Sequence, residues 1–116
     1  MTAHDLFTEE YIEAALMAHV ELEPVSADQV VAGSPMTGAQ VLATFGDNEI
    51  GVWEMTVGTM WDVEVDETFL VLAGSARVTR GDGSVMEIVP GSFVTLVADE
   101  RTEWVVSDFV RKIYCA

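Results

Sequence analysis

Between Leu6 and Val20 the apolar positions recur at helical spacing: Leu6, Phe7, Tyr11, Ile12, Ala15, Leu16 and Val20, with His19 on the same stripe. Thr8 followed by Glu9 and Glu10 has the form of an N-cap with acids in the first turn, where carboxylates favour the helix dipole. Pro24 closes the segment. The pattern predicts a helical extension over 1–24, laid against the main body or a neighbouring subunit.

From Val25 onward the period shortens. β-Prone runs fall near 29–32, 39–45, 49–56, 61–65, 67–73, 75–80, 84–89, 93–97, 102–107 and 109–114. Turn residues separate them: Gly33-Ser34-Pro35, Gly46-Asp47-Asn48, Val57-Gly58, Ala73-Gly74, Gly81-Asp82-Gly83 and Pro90-Gly91. Many short strands with frequent turns predict one all-β domain over 25–116, a sandwich or barrel. Asp82-Gly83 is the sharpest signal, because both residues tolerate the positive φ of a tight hairpin turn. Arg80-Gly81-Asp82, an adhesion-type tripeptide, reads as the tip of that hairpin.

Charge narrows the partners. Five Lys and Arg stand against 20 Asp and Glu, a net −15 at pH 7. Such a field repels phosphate and anionic lipid, so neither nucleic acid nor a membrane is an expected partner. No apolar run approaches the ~18 residues of a spanning helix. The first ten residues are acidic where a secretory leader is basic and then apolar. Cys115 is the single cysteine, so no internal disulfide forms and a cytoplasmic location is expected.

The stretch Gly51–Gly58, followed by Asp62–Thr79, resembles the first conserved motif of cupins. Glu67, six further residues and Gly74 reproduce the Glu-to-Gly half of it. Asp82–Phe93 is similar to the cupin hairpin and the Pro90-Gly91 entry to the next strand. The ending, Glu100–Val106 with Val110–Tyr114, resembles the small single-domain cupins related to ureidoglycine aminohydrolase and the ethanolamine-utilisation cupins. The resemblance spans 40–116. It implies a jelly-roll β-barrel, commonly a homodimer.

The resemblance also implies a metal site from which this chain departs. Metal-binding cupins place two histidines shortly before the motif glutamate and a third after the Pro-Gly strand. Here the first two positions fall on Trp61 and Val63, or on Met60 and Asp62 with the longer spacing, and the third at or beside Thr102. None is histidine. A transition metal needs several nitrogen, sulfur or well-placed oxygen donors in one shell. His4 and His19 lie roughly 22 Å apart on a continuous helix at ~1.5 Å per residue, too far to share an ion. No metal and no other cofactor is expected. An oxygen-only set from Glu64, Asp66, Glu67 and Glu103 would suit Mg²⁺, Ca²⁺ or Mn²⁺. Strand alternation opposes it, placing Glu64 and Asp66 on one solvated face and Glu67 on the other unless a turn changes the parity.

Trp61, Val63, Glu67, Phe69, Val71, Thr102 and Trp104 are the candidate pocket lining. Glu67, grouped with Phe69 and Val71 on the lumen face, is the candidate acid–base residue. Without a cation beside it, desolvation raises its pKa above the ordinary value of about 4.3. Its alternative is a structural carboxylate satisfied by Arg77, Arg101, Thr102 or a backbone amide. Trp61 at a ligand position would plug the pocket or reshape it for an apolar or planar ligand. Arg101, Arg111 and Lys112 read as partners of the surrounding acids, with an anion contact as the alternative.

Two functions follow. One is a metal-free cupin serving as a small-molecule binding or structural module, with a ligand in the barrel. The other is a hydrolase or isomerase that uses Glu67 or a carboxylate-bound ion. Fold alone does not choose between them.

Overall fold

Two long strands, β4 (Asn48–Val63) and β9 (Arg101–Cys115), form the spine of the structure, a computed structural model that describes residues 6–116. They pair antiparallel from Ile50↔Cys115 to Val63↔Arg101, with one register shift between Thr56 and Gly58. The four shorter runs expected at 49–56, 61–65, 102–107 and 109–114 are therefore two bent strands. Val57-Gly58 marks a bulge within a strand. Gly58 has φ 143, and a Cβ there would strike the ring of Pro35.

The bulge splits each long strand between two sheet regions. The first half of β4 pairs with β3 (Met36–Phe45), which carries the short β1 (Glu23–Pro24). The last half of β9 pairs with β5 (Glu67–Gly74), and β5 in turn with β8 (Phe93–Leu96). Past the bulge, β4 pairs with β2 (Val30–Ala32), while β9 pairs with β6 (Ala76–Thr79) and through it with β7 (Val85–Ile88). Among the described residues β1, β2, β7 and β8 each have one neighbour, so the jelly roll is an open barrel.

Both faces of the first region are covered. Toward the lumen, Met55, Phe69, Val71 and Val110 meet Met60, Val78, Ile88 and Trp104 of the second region in the main core. On the outer face, Ile50, Val52 and Ile113 pack with Phe7, Ala15 and Val20. Covering on both sides explains the unbroken apolar run Phe69–Ala73 of β5, whereas Thr102, Trp104 and Val106 of β9 alternate with more exposed neighbours. Phe7 is fully buried edge-on to Phe93, at 6.4 Å between ring centroids. Burying a side chain of that kind is worth about 1.5–3 kcal/mol.

The covering helix, α1 (Glu9–Met17), begins at Thr8 as expected, although the Thr8 hydroxyl makes no capping bond. Leu16, expected on its apolar stripe, is exposed, as is His19. His4 lies outside the described residues. The last turn of α1 has no basic residue of its own. Arg111 of β9 supplies the cation: Nη1 donates to the carbonyls of Ala15 at 2.8 Å and Ala18 at 2.9 Å. Its Nε donates to Glu54 Oε1 at 2.9 Å. One guanidinium thus satisfies the helix end and a strand carboxylate.

The Asp82-Gly83 hairpin forms where expected, joining β6 to β7 with Thr79↔Val85 as the last pair. Asp82 Oδ1 accepts from Ser84 N at 2.8 Å, and Gly83 has φ 88. Arg80 at its base is held by Glu100 through two bonds of 2.8 Å. Among the described residues no helix is long and apolar enough to cross a membrane.

Arg111→Met should destabilise the protein by about 2–4 kcal/mol, the scale of charge-assisted bonds lost from a largely buried group. Urea melts measure the loss. Hydrogen exchange should show α1 opening before the strands, and uniform loss of protection would argue against the helix-end role.

Candidate functional site

Residues 110, 112 and 114 of β9 share the lumen face, and the middle one is Lys112. It is 4% exposed, and its Nζ donates to Glu67 Oε2 at 2.6 Å. Three aromatic faces surround the ammonium: Phe69 at 4.2 Å, Trp53 at 4.7 Å and Trp104 at 4.9 Å from the ring centroids. A desolvated cation over a ring gains about 2 kcal/mol. The rings and the carboxylate together offset the cost of removing the ammonium from water.

Beside this pair lies a cavity of about 340 Å³, with Met60, Val65, Trp53 and Trp104 among its apolar walls. Its side-chain carboxylates are Glu49, Asp62, Glu64 and Glu67. Glu64 is 9% exposed; its Oε2 accepts from Thr102 Oγ1 at 2.5 Å and from Trp104 Nε1 at 3.3 Å. Asp62 Oδ1 accepts from the Val63 amide at 2.9 Å and from Gln29 Nε2 at 3.3 Å. Burial pushes the Asp62 carboxyl up from its ordinary value, and the Val63 amide and Lys112 offset only part of that rise. Tyr114 donates its hydroxyl to Glu49 Oε2 at 2.8 Å. Burial and, after it, this bond hold the phenol well above its usual range.

The placement of the expected residues is mixed. Glu67 and Trp104 line the cavity; Thr102 is buried behind Glu64; Phe69 and Val71 belong to the core, Phe69 beneath the ammonium. Trp61 and Val63 do not line this cavity. Trp61 lies under Arg101, at 4.0 Å from the guanidinium carbon, and its Nε1 donates to the Asp28 carbonyl at 2.9 Å. Val63 is 52% exposed. The bulge at Val57 reverses the inward parity of β4 from odd to even positions. Met60 and Asp62 therefore face Trp104 and Thr102.

Two expectations about carboxylates are corrected. Glu67 is paired, and its partner is Lys112; Arg77 instead pairs with exposed Glu87, and Arg101 stacks on Trp61. Glu64 is buried because the chain leaves β4 after Val63, and the Glu64 and Asp99 amides bond across the turn to Glu100 O and Glu64 O. Asp66 stays on the outside, accepting from the Ala98 amide at 2.9 Å. The signal for Lys112 was the alternation Val110, Lys112, Tyr114, which puts the lysine on the same face as two core residues.

A family model described as the EutQ-like cupin domain matches residues 42–114. The chain belongs to the EutQ-like cupin family. No curated protein matches it. Three solved structures share the cupin fold at low identity. A protein of unknown function of the DUF861 family from Pseudomonas syringae pv. tomato has a TM-score of 0.74 at 20% identity, covering 85% of this chain and 44% of that one. The chain thus spans less than half the length of that relative. A putative ethanolamine utilization protein Q from Salmonella typhimurium gives 0.62 at 18% identity, over 84% of this cupin and 94% of its own length. The EutQ protein of Clostridium difficile gives 0.61 at 21%, over 80% and 78%.

The metal implied by the wider cupin resemblance does not fit these residues. At the motif positions stand a thioether, Met60, a carboxylate held by Gln29, Asp62, and a carboxylate bound to an ammonium, Glu67. Among the described residues no three His, Cys, Asp or Glu side chains converge as a metal-ligand set. The same finding tells against the oxygen-only set of Glu64, Asp66, Glu67 and Glu103.

Breaking one side of a buried pair strands the other charge. Glu67→Gln should therefore cost about 3 kcal/mol or more at pH 7, and Lys112→Met a similar amount. The double variant should recover much of the loss, because a neutral pair leaves no buried charge. Thermal melts of the four proteins close the cycle; additive losses would argue against the pair.

Asp62→Asn tests the desolvated carboxyl. Its raised pKa means the native state holds the proton more tightly than the unfolded chain. Its contribution thus favours the fold at low pH and fades as pH climbs from the unfolded value through the folded one. The variant should match the wild type near pH ~4 and exceed its stability at pH ~7. A variant less stable than wild type at the higher pH would contradict this.

Proposed function

We propose that this cupin is a metal-free binding module that takes a small molecule into the lumen cavity beside Lys112. The observation that carries the reading is the Lys112–Glu67 pair at 2.6 Å. The glutamate that the motif would offer to a metal is already matched by a cation built into the chain. A cavity of about 340 Å³ with aromatic walls and a few convergent polar groups has the character of a small-ligand site. Glu67, held in an ion pair, is a poor choice for a free acid or base, which favours binding over the hydrolase or isomerase reading. A cytoplasmic, homodimeric setting belongs to the same proposal. Its support is the free thiol of Cys115 and the four strands that have one neighbour each.

Purified protein should carry transition metal far below one ion per chain, and dialysis against a chelator should leave its melting temperature unchanged. A stoichiometric metal whose removal lowers the melting temperature would overturn the metal-free reading.

A further inference from the structure

The cavity carries more acceptors than its own donors satisfy. Among the described residues, each of its four side-chain carboxylates receives side-chain and amide bonds on one oxygen only: Glu49 Oε2, Asp62 Oδ1, Glu64 Oε2 and Glu67 Oε2. The other four oxygens receive none, and no sealed side-chain oxygen lacks a partner, so these four are solvent-accessible, on residues that line the cavity. Glu64 is the telling case. Its side chain is nine-tenths buried, its Oε2 takes both available donors, and its remaining oxygen has no protein partner. That oxygen is accessible, so its donor comes from whatever fills the cavity, water or a ligand.

The charge count points the same way. Four acids face one lysine, and Lys112 is committed to Glu67. Among the described residues Glu49 and Glu64 have no ion-pair partner within the cavity, and Lys112 offsets only part of the burial cost of Asp62. Lys112 already lies over the rings of Trp53 and Trp104, and Trp104 is fully buried, so the half-buried Trp53 is the indole that a ligand in the cavity can touch. An anionic ligand would meet these three acids, and a neutral apolar one would leave their free oxygens dry.

We infer that the ligand of the lumen cavity is a small organic cation bearing several N–H donors, a primary ammonium, amidinium or guanidinium compound, bound by the free oxygens of Glu64, Asp62 and Glu49 beside the half-buried Trp53. The inference rests on the cavity-binding reading above and names the ligand's chemical class. A cavity of about 340 Å³ sits at the small end of ligand sites, so the cation carries a short organic tail. A guanidinium fits best, since its five fixed donors reach several carboxylates at once.

Four probes of matched size test the class: butylguanidinium, butylammonium, butyrate and butanol. Each is titrated into the full chain and followed by ¹⁵N NMR, reading the indole signals of Trp53 and Trp104 with the amides of residues 62–67. The two cations should shift these signals saturably. Glu64→Gln should weaken that binding at least tenfold, while Glu87→Gln on the exposed outer hairpin should leave it unchanged. Should Glu64→Gln fail to fold, Asp62→Asn serves, with the same direction expected. Butyrate or butanol shifting the cavity signals while the cations do not would overturn the cation inference and leave the binding reading standing. Cation shifts that never saturate, or that ignore the cavity variants, would mean diffuse attraction to a −15 surface and would overturn it as well. If none of the four probes moves a cavity signal, both the inference and the binding reading fail.

Discussion

The pairing of β4 with β9 through a single bulge is the constraint on which the rest of the structure depends. Each strand is long enough to belong to two sheet regions, and the bulge lets both bend together without breaking the ladder. The bend brings Met55 and Val110 of one region against Met60, Trp104 and Val106 of the other, which makes the main core. It also reverses side-chain parity along β4. Asp62 is turned into the lumen by that reversal, and Trp61 is turned out to meet Arg101.

Alternation along β9 then distributes the scarce positive charge. Arg111 and Lys112 are neighbours in sequence and point to opposite faces of one sheet. Arg111 reaches outward to Glu54 and the end of α1, so it ties the helix to the strand it covers. Lys112 reaches inward to Glu67 and a box of three aromatic rings. With five cations against 20 acids, most carboxylates must rely on water or on N–H and O–H donors. Two adjacent residues nevertheless serve opposite faces of the sheet.

Lysine and metal meet different needs at a motif glutamate. A metal ion draws several ligands into a fixed shell and keeps an open position for chemistry. An ammonium on a flexible stem needs one carboxylate and a dry, electron-rich surround, and it brings no open coordination site. The Lys112 arrangement satisfies the second set of needs. The site that results is a cavity edged by carboxylates beside a neutralised glutamate.

Much of this was legible in the sequence. Helical spacing before Pro24, short β runs after it, the Asp82-Gly83 turn and the Glu67-to-Gly74 spacing together pointed to a jelly-roll β-barrel with a helical extension. The lumen position of Glu67, beside Phe69 and Val71, followed from period-two alternation, which is a local property of the backbone. What the tertiary structure decided were the places where parity changes and the partners that lie far along the chain. Val57-Gly58 reads as a strand break, and only pairing with β9 makes it a bulge that exchanges Trp61 for Asp62. Glu64 looks solvated on a regular strand, until the turn at 64–66 bonds to Glu100 and buries it beneath Thr102 and Trp104. Lys112 lies 45 residues from Glu67. No local pattern names that partner, because the choice among five cations depends on which strand becomes the neighbour of β5.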